Sequence, residues 1–324
     1  MTQIITNNIF KKTNNQTIKI IDLFAGVGGI RLGFEKVFKN NSKFVFSSEI
    51  DKHAQNTYFQ NFNNMPYGDI TQILEKDIPN HDIILAGFPC QAFSVAGNRK
   101  GFEDTRGTLF FDVARIARYH KPKVLFLENV KGFVNHDKGN TFKTVRTTLE
   151  DMGYKIFSQV LNSKDYGIPQ NRERIYIVAF LDNSIKFNFP KKINICKKLK
   201  DCLLDEVNEK YYYNNKPLYS KIKNEIIEDN TIYQWRRHYV RENKSGVCPT
   251  LTANMGTGGH NVPIIKDFKG IRKLTPRECA NFQGFPKNYK IPNDIVDSHL
   301  YKQFGNSVTV SVIEQIAKEI KHVL

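Results

Sequence analysis

Between Ile18 and Phe180 short apolar runs alternate with longer mixed segments, and this alternation restricts the chain more than any other feature. Strands that alternate with crossover helices build a mostly parallel sheet with helices on its faces, an α/β architecture. The expected strands are Lys19 to Phe24, Phe44 to Ser48, Ile83 to Ala86, Val124 to Leu127 and Arg174 to Phe180. Between them, Gly29 to Phe38, Lys52 to Gln60, Thr108 to Tyr119 and Thr141 to Met152 carry apolar residues three and four apart, as helices do. After Pro190 the sequence turns rich in Lys, Tyr and Asn and loses the alternation, so a second, smaller domain is expected at 186–299. Val308, Val312, Ile316 and Ile320 then recur every four residues, an amphipathic helix from Ser307 to Ile320 that needs a host surface. The expected division is a polar leader at 1–17, a first domain at 18–185, the second at 186–299 and a segment at 300–324 that returns to the first.

A chain of 324 residues with 40% hydrophobic content can bury a full core. It has no apolar run near the roughly 20 residues that span a membrane, and no apolar signal core at its start, so a cytoplasmic location is expected. The five cysteines (Cys90, Cys196, Cys202, Cys248, Cys279) contain no CxxC pair, which argues against a disulfide framework or a structural zinc. Lys and Arg exceed Asp and Glu by 48 to 32, a surplus of +16 that favours a polyanionic partner such as nucleic acid.

Chemistry concentrates where strands end. Ile20 to Phe24 runs straight into Ala25-Gly26-Val27-Gly28-Gly29, glycines at a sharp turn from strand to helix that let a ligand approach the backbone. The spacing is neither GxGxxG nor a Walker loop, so no phosphate clamp is present. Glu49 closes the next strand, placed to accept from ribose hydroxyls, and Asp69 follows the next helix, placed to read an adenine amino group. A nucleoside cofactor without a phosphate clamp points to S-adenosylmethionine.

Cys90 lies in Gly87-Phe88-Pro89-Cys90-Gln91, just after the strand Ile83 to Ala86, and Glu128 ends the strand that begins at Val124. Arg172 and Arg174 alternate at the start of Arg174 to Phe180 and are expected to face one side. A thiol, a carboxyl and fixed positive charge are the set needed to add a thiolate to an electron-poor ring. Cys202 and Cys196, without such company, read as small buried residues.

The blocks DLFAGVGG, GFPCQAFS, TRGTLFFDVARI, FLENVKGF, QNRERIYIV, RKLTPRECANFQGFP and YKQFGNSV occur in one order from about Ile18 to Val310. In this the chain resembles the DNA (cytosine-5) methyltransferases of bacterial restriction-modification systems. The resemblance implies a Rossmann-like S-adenosylmethionine-dependent fold with a target-recognition domain. It implies a cofactor pocket formed by Phe24, Ala25, Gly26, Gly28, Gly29, Glu49, Ile50, Asp69, Ile70, Asn306 and Ser307, with Pro89 and Leu109 beside it. It implies that Cys90 bonds to C6 of cytosine, that Glu128 holds the N3 and amino edge, and that Arg172 and Arg174 secure the Cys90 region and the base carbonyl. C5 would take the methyl group from S-adenosylmethionine, and the base would be flipped out of double-stranded DNA.

For DNA, the implied contacts are Gln91, Ser94 and Arg106 around the cysteine, and Thr250, Thr252, Asn254, Gly256, Thr257 and Gly258 in a polar, Gly-rich stretch expected to combine backbone freedom with short side chains. Arg236, Arg237 and Arg241, around Trp235 and Tyr239, are suited to contact phosphates or guanines, and phosphate contact is the expectation, since most such bonds position rather than specify. The remaining expectations are a monomer, associated with the nucleoid, with a companion restriction endonuclease acting on the same short site. Two competing readings are an RNA cytosine-5 methyltransferase and a nonenzymatic DNA-binding protein. A sizeable region ahead of RKLTPREC argues against the first, and intact Cys90, Glu128 and Arg174 argue against the second.

Overall fold

The computed structural model describes residues 17–89, 109–193, 197–256 and 261–324. Cys90, Gln91, Ser94, Arg106, Cys196, Thr257 and Gly258 lie outside the described residues.

Strands β1 (Ile18–Leu23), β2 (Ser42–Ser48), β3 (Ile83–Ala86), β4 (Val124–Val130), β5 (Lys155–Asn162) and β6 (Glu173–Phe180) form one sheet in the order β2-β1-β3-β4-β6-β5. Neighbours from β2 to β4 pair in parallel, whereas β6 runs antiparallel to both β4 and β5. The sheet is therefore mixed, though mostly parallel as expected. Strand β5 was not among the expected strands. Its Ser158 and Gln159 are exposed at the sheet edge and interrupt the apolar pattern.

Helices α1 (Gly29–Phe38), α2 (Lys52–Phe62), α3 (Phe110–His120) and α4 (Asn140–Asp151) follow the expected segments to within two residues at each end. Alternate residues along the strands feed two cores. Ile21, Leu23, Ile84, Leu125, Leu127 and Ile177 pack against α3 and α4, while Ile20, Leu85, Phe126 and Val178 pack against α1 and the terminal helix α8 (Val310–Val323). A Cβ on Gly33 would lie 2.6 Å from Ile313, so glycine is what lets α1 and α8 meet. The terminal helix packs on α1, and it starts at Val310 rather than Ser307.

The remaining chain holds a short helix α5 (Tyr219–Ile222) and an antiparallel sheet of β7 (Tyr233–Trp235), β8 (Val240–Glu242), β9 (Ile264–Asp267) and β10 (Gly270–Lys273), followed by α6 (Pro276–Asn281) and α7 (Asp297–Asn306). The LTPRE run makes a capping box: Thr275 caps α6, Pro276 fills its first turn and Glu278 returns to the Thr275 amide. Glu278 is fully buried and takes two hydrogen bonds from Arg272, whose Nε also reaches Asp267. Leu251, Leu274, Phe282 and Phe304 share an apolar cluster with Val27 and Ala54, so this region packs directly on the loop after β1. Among the described residues no helix is long and apolar enough to cross a membrane.

Candidate active site

The described candidate side chains collect at the carboxyl edge of the sheet, where β1, β3 and β4 end. Phe24 takes a left-handed backbone (φ 55), uncommon for a bulky residue, and Gly26 follows at φ 54. Glu49, one residue past β2, accepts from the Gly26 amide at 2.8 Å and the Asp51 amide at 2.8 Å. Burial pushes its carboxyl up, while these backbone donors pull it back. Asp51 caps α2 by accepting from the His53 and Ala54 amides, which fixes the chain around Glu49. Ile50 beside it is 69% exposed, an apolar side chain left uncovered at this edge. Asp69 accepts from the Thr71 amide at 3.0 Å, and Ile70 behind it is buried.

These residues fit a nucleoside. Among the described residues a Cβ on Gly26 would have nothing within 4 Å, so the turn leaves open space beside the backbone next to the Glu49 carboxylate. By contrast, a Cβ on Gly29 would meet Ser307 Oγ at 2.7 Å and Val308 at 2.9 Å, so Gly29 serves packing. Ser307 is buried there, while Asn306 remains exposed and Leu109 precedes α3.

Glu128 is buried at the end of β4, and Arg174 Nε stands 3.2 Å from its Oε1. Burial pushes the Glu128 carboxyl up, against the lowering influence of Arg174 and Arg172. A Cβ on Gly87 would lie 3.4 Å from the Glu128 carboxylate, so the acid stands beside the segment that leads through Pro89 to Cys90. Asn129 donates to Phe88 O at 3.0 Å and holds that segment to β4. Sequence reasoning passed over Asn129, although its place next to Glu128 in FLENV was the available signal.

The two arginines make different contacts. Arg172 precedes β6, is buried, and donates to three backbone carbonyls: Leu251 O at 2.6 Å, Gly305 O at 3.1 Å and Ser307 O. Its terminal nitrogens therefore tie the 250–256 stretch to the C-terminal end of α7, while its charge is still felt by Glu128 and Arg174. The same stretch is firmer than its composition suggests. Leu251 and Met255 are buried, Thr250 Oγ1 donates to Asn171 O at 2.6 Å, and a Cβ on Gly256 would fall 2.2 Å from Ser298 O. Gly256 is thus required by close packing on α7, not by backbone freedom. Thr252 and Asn254 stay exposed. Arg236 and Arg241 line one cleft with Thr250, Thr252 and Asn254, whereas Arg237 sits at φ 67 in the hairpin turn and is not part of that lining. Cys202 is buried, as its lack of company suggested, and burial pushes its thiol up to about 11.

The model of C-5 cytosine-specific DNA methylases matches residues 18–322, nearly the whole chain. The chain belongs to that family. This methylase is 54% identical over 312 residues to the Type II methyltransferase M.Bsp6I of Bacillus sp. (strain RFL6), covering 94% of this chain and 98% of the relative. It is 46% identical over 319 residues to M.HhaI of Haemophilus parahaemolyticus, covering 94% of each. Among solved structures, the Dnmt2 methyltransferase of S. pombe superimposes with a TM-score of 0.74 at 20% identity, covering 94% of this chain and 99% of that one, a likeness of fold. The methylase is accordingly a DNA (cytosine-5) methyltransferase that uses S-adenosylmethionine and acts on DNA.

Proposed function

We propose that the chain methylates a flipped-out cytosine in a short duplex site, with Cys90 as nucleophile, Glu128 as the acid at N3 and Arg174 at the base carbonyl. The observation that carries this reading is the enclosed Glu128 and Arg174 pair beside the segment that enters Pro89 and Cys90. C5 of cytosine is a poor nucleophile. Addition of the Cys90 thiolate to C6 moves the ring electrons toward C5 and N3, and a proton delivered from Glu128 to N3 keeps that charge from building up. Burial raises the Glu128 carboxyl, so it holds such a proton more readily than an exposed carboxyl does. S-adenosylmethionine supplies the electrophilic methyl group that C5 takes. Loss of the C5 proton, departure of the Cys90 sulfur and return of the N3 proton to Glu128 then restore the ring.

Glu49 and Asp69 hold the cofactor's ribose and adenine in this reading, Ile50 and Phe24 cover its faces, and the open side of Gly26 leaves it room. Residues 18–185 with 300–324 form the catalytic unit, and 186–299 form the target-recognition unit. Relatives named as Type II methyltransferases support a role in restriction-modification, with a companion endonuclease directed at the same site. The enzyme acts as a monomer on chromosomal DNA in the cytoplasm.

A duplex carrying 5-fluorocytosine at the target tests the chemistry, because fluorine cannot leave as the C5 proton does. A covalent complex that withstands denaturation is expected, and Cys90→Ala should abolish it. An adduct that persists in Cys90→Ala overturns the assignment of the nucleophile.

A further inference from the structure

The smaller sheet presents a polar face beside the catalytic edge. Strands β7 and β8 pair with Gln234 opposite Arg241. Alternation along the hairpin sends Tyr233, Trp235 and Val240 into the apolar cluster of that sheet. Gln234, Arg236 and Arg241 therefore emerge on the other side, where they line a cleft of about 360 Å³ with Thr250, Thr252 and Asn254. The cleft adjoins the catalytic edge, since Thr250 is bonded to Asn171 and Leu251 to Arg172, directly ahead of the strand that carries Arg174.

Gln234 is only 9% exposed, and its Oε1 accepts from Arg236 Nη2 at 3.0 Å, while Arg236 itself is exposed. A phosphate can be met by a guanidinium from several directions, so a fixed plane matters less there. The O6 and N7 edge of guanine is different: it needs two donors in one plane at one angle. A buried amide that engages one guanidinium donor sets that plane and still leaves a two-donor edge free for a base.

We propose that Arg236, oriented by Gln234, reads a guanine in the major groove of the target site, with Gln234 as its positioning residue. The inference rests on the DNA methyltransferase reading above. It moves Arg236 from the phosphate role expected from sequence to a base-reading one and leaves Arg237, in the hairpin turn, to the backbone.

A duplex pool randomised on both sides of a central cytosine, methylated at one salt concentration and sequenced after bisulfite conversion, tests this. The wild type should yield a motif containing guanine. Arg236→Ala should lose preference at one guanine position by about tenfold to a hundredfold and keep the rest. Gln234→Ala should relax the same position, and Gln234→Glu, which retains the acceptor, should restore it. Replacing that guanine by 7-deazaguanine should slow the wild type and add nothing to Arg236→Ala. A uniform loss across all sequences in Arg236→Ala, with the salt slope reduced by about one, would mark a phosphate contact and overturn the proposal. An unchanged motif in Arg236→Ala overturns it equally. If the wild type methylates no sequence in the pool, the enzymatic reading itself fails.

Discussion

Arg174 Nε and Glu128 Oε1 stand 3.2 Å apart on neighbouring antiparallel strands, with both side chains almost enclosed. The pair sets two opposing influences on one proton. Burial favours the neutral carboxyl, and the guanidinium favours the carboxylate. If the protonated acid supports addition to the ring, single-turnover methylation should fall on the alkaline side as Glu128 loses its proton. Arg174→Gln removes the influence that favours ionisation, so the falling limb should move to higher pH even though the overall rate drops. Glu128→Gln should lose the limb altogether. A limb that moves to lower pH in Arg174→Gln would contradict the pairing.

A second buried carboxyl bears on stability. Asp22 is fully buried on β1; its Oδ2 accepts from the Tyr58 hydroxyl at 3.3 Å, which accepts from Arg31 at 3.0 Å, and its Oδ1 has no partner among the described residues. Burial pushes it up to about 7. The folded protein thus holds a proton that the unfolded chain releases near pH 3.9, so this contribution is complete below that value and is lost as the pH rises through about 7. Asp22→Asn cannot lose it. Relative to the wild type, the variant should gain stability between pH 4 and pH 8, by up to about 4 kcal/mol at 1.36 kcal/mol per unit. Urea unfolding at the two values measures the difference, and a gap that does not widen with pH refutes the role of Asp22.

How much of this was legible follows from where each signal resides. Glu49 and Glu128 were readable because acids that end apolar strands collect at one sheet edge. Strand β5 was not, since its edge position tolerates Ser158 and Gln159. Helix α7 escaped as well: its buried positions include Tyr301, Gln303 and Gly305, which packing on a neighbouring backbone permits but apolar spacing does not announce. The packing partners of Arg172 were hidden for a deeper reason. They are carbonyls of Leu251, Gly305 and Ser307, and any residue type has a carbonyl, so nothing in the sequence marks them. Gln234 was within reach, because YQW opposite VRE alternates as a hairpin with one polar face.

Glu49 and Asp69 should separate in cofactor binding. Glu49 bonds two backbone amides, so Glu49→Ala loses any ribose contact and also frees the Gly26 turn. Asp69→Ala removes one exposed-side acceptor and leaves the turn intact. Each should weaken S-adenosylmethionine binding by about 1 to 3 kcal/mol, with Glu49→Ala at the upper end. Calorimetric titration of the DNA-free protein measures both. Unchanged affinity in both variants would remove these acids from the pocket.

The contact between the 250–256 stretch and α7 should be intolerant of a single methyl group. A Cβ on Gly256 would stand 2.2 Å from Ser298 O, and one on Gly305 2.3 Å from the Thr252 backbone. Both obstacles are main chain, which cannot swing aside as a side-chain tip does, so relief requires lifting the whole stretch. Gly256→Ala and Gly305→Ala should each destabilise the fold by about 1 to 3 kcal/mol. Lifting it also strains the bonds from Arg172 to Leu251 and Gly305, so discrimination between matched and singly mismatched duplexes should fall along with cofactor affinity. Thr252→Ala, at an exposed position of the same stretch, should leave stability within about 0.5 kcal/mol of the wild type. Urea unfolding compared across the three variants decides the matter. Equal stability for Gly256→Ala and Thr252→Ala would mean that the stretch is free to move away from α7, and the link from Arg172 to the recognition surface would be lost with it.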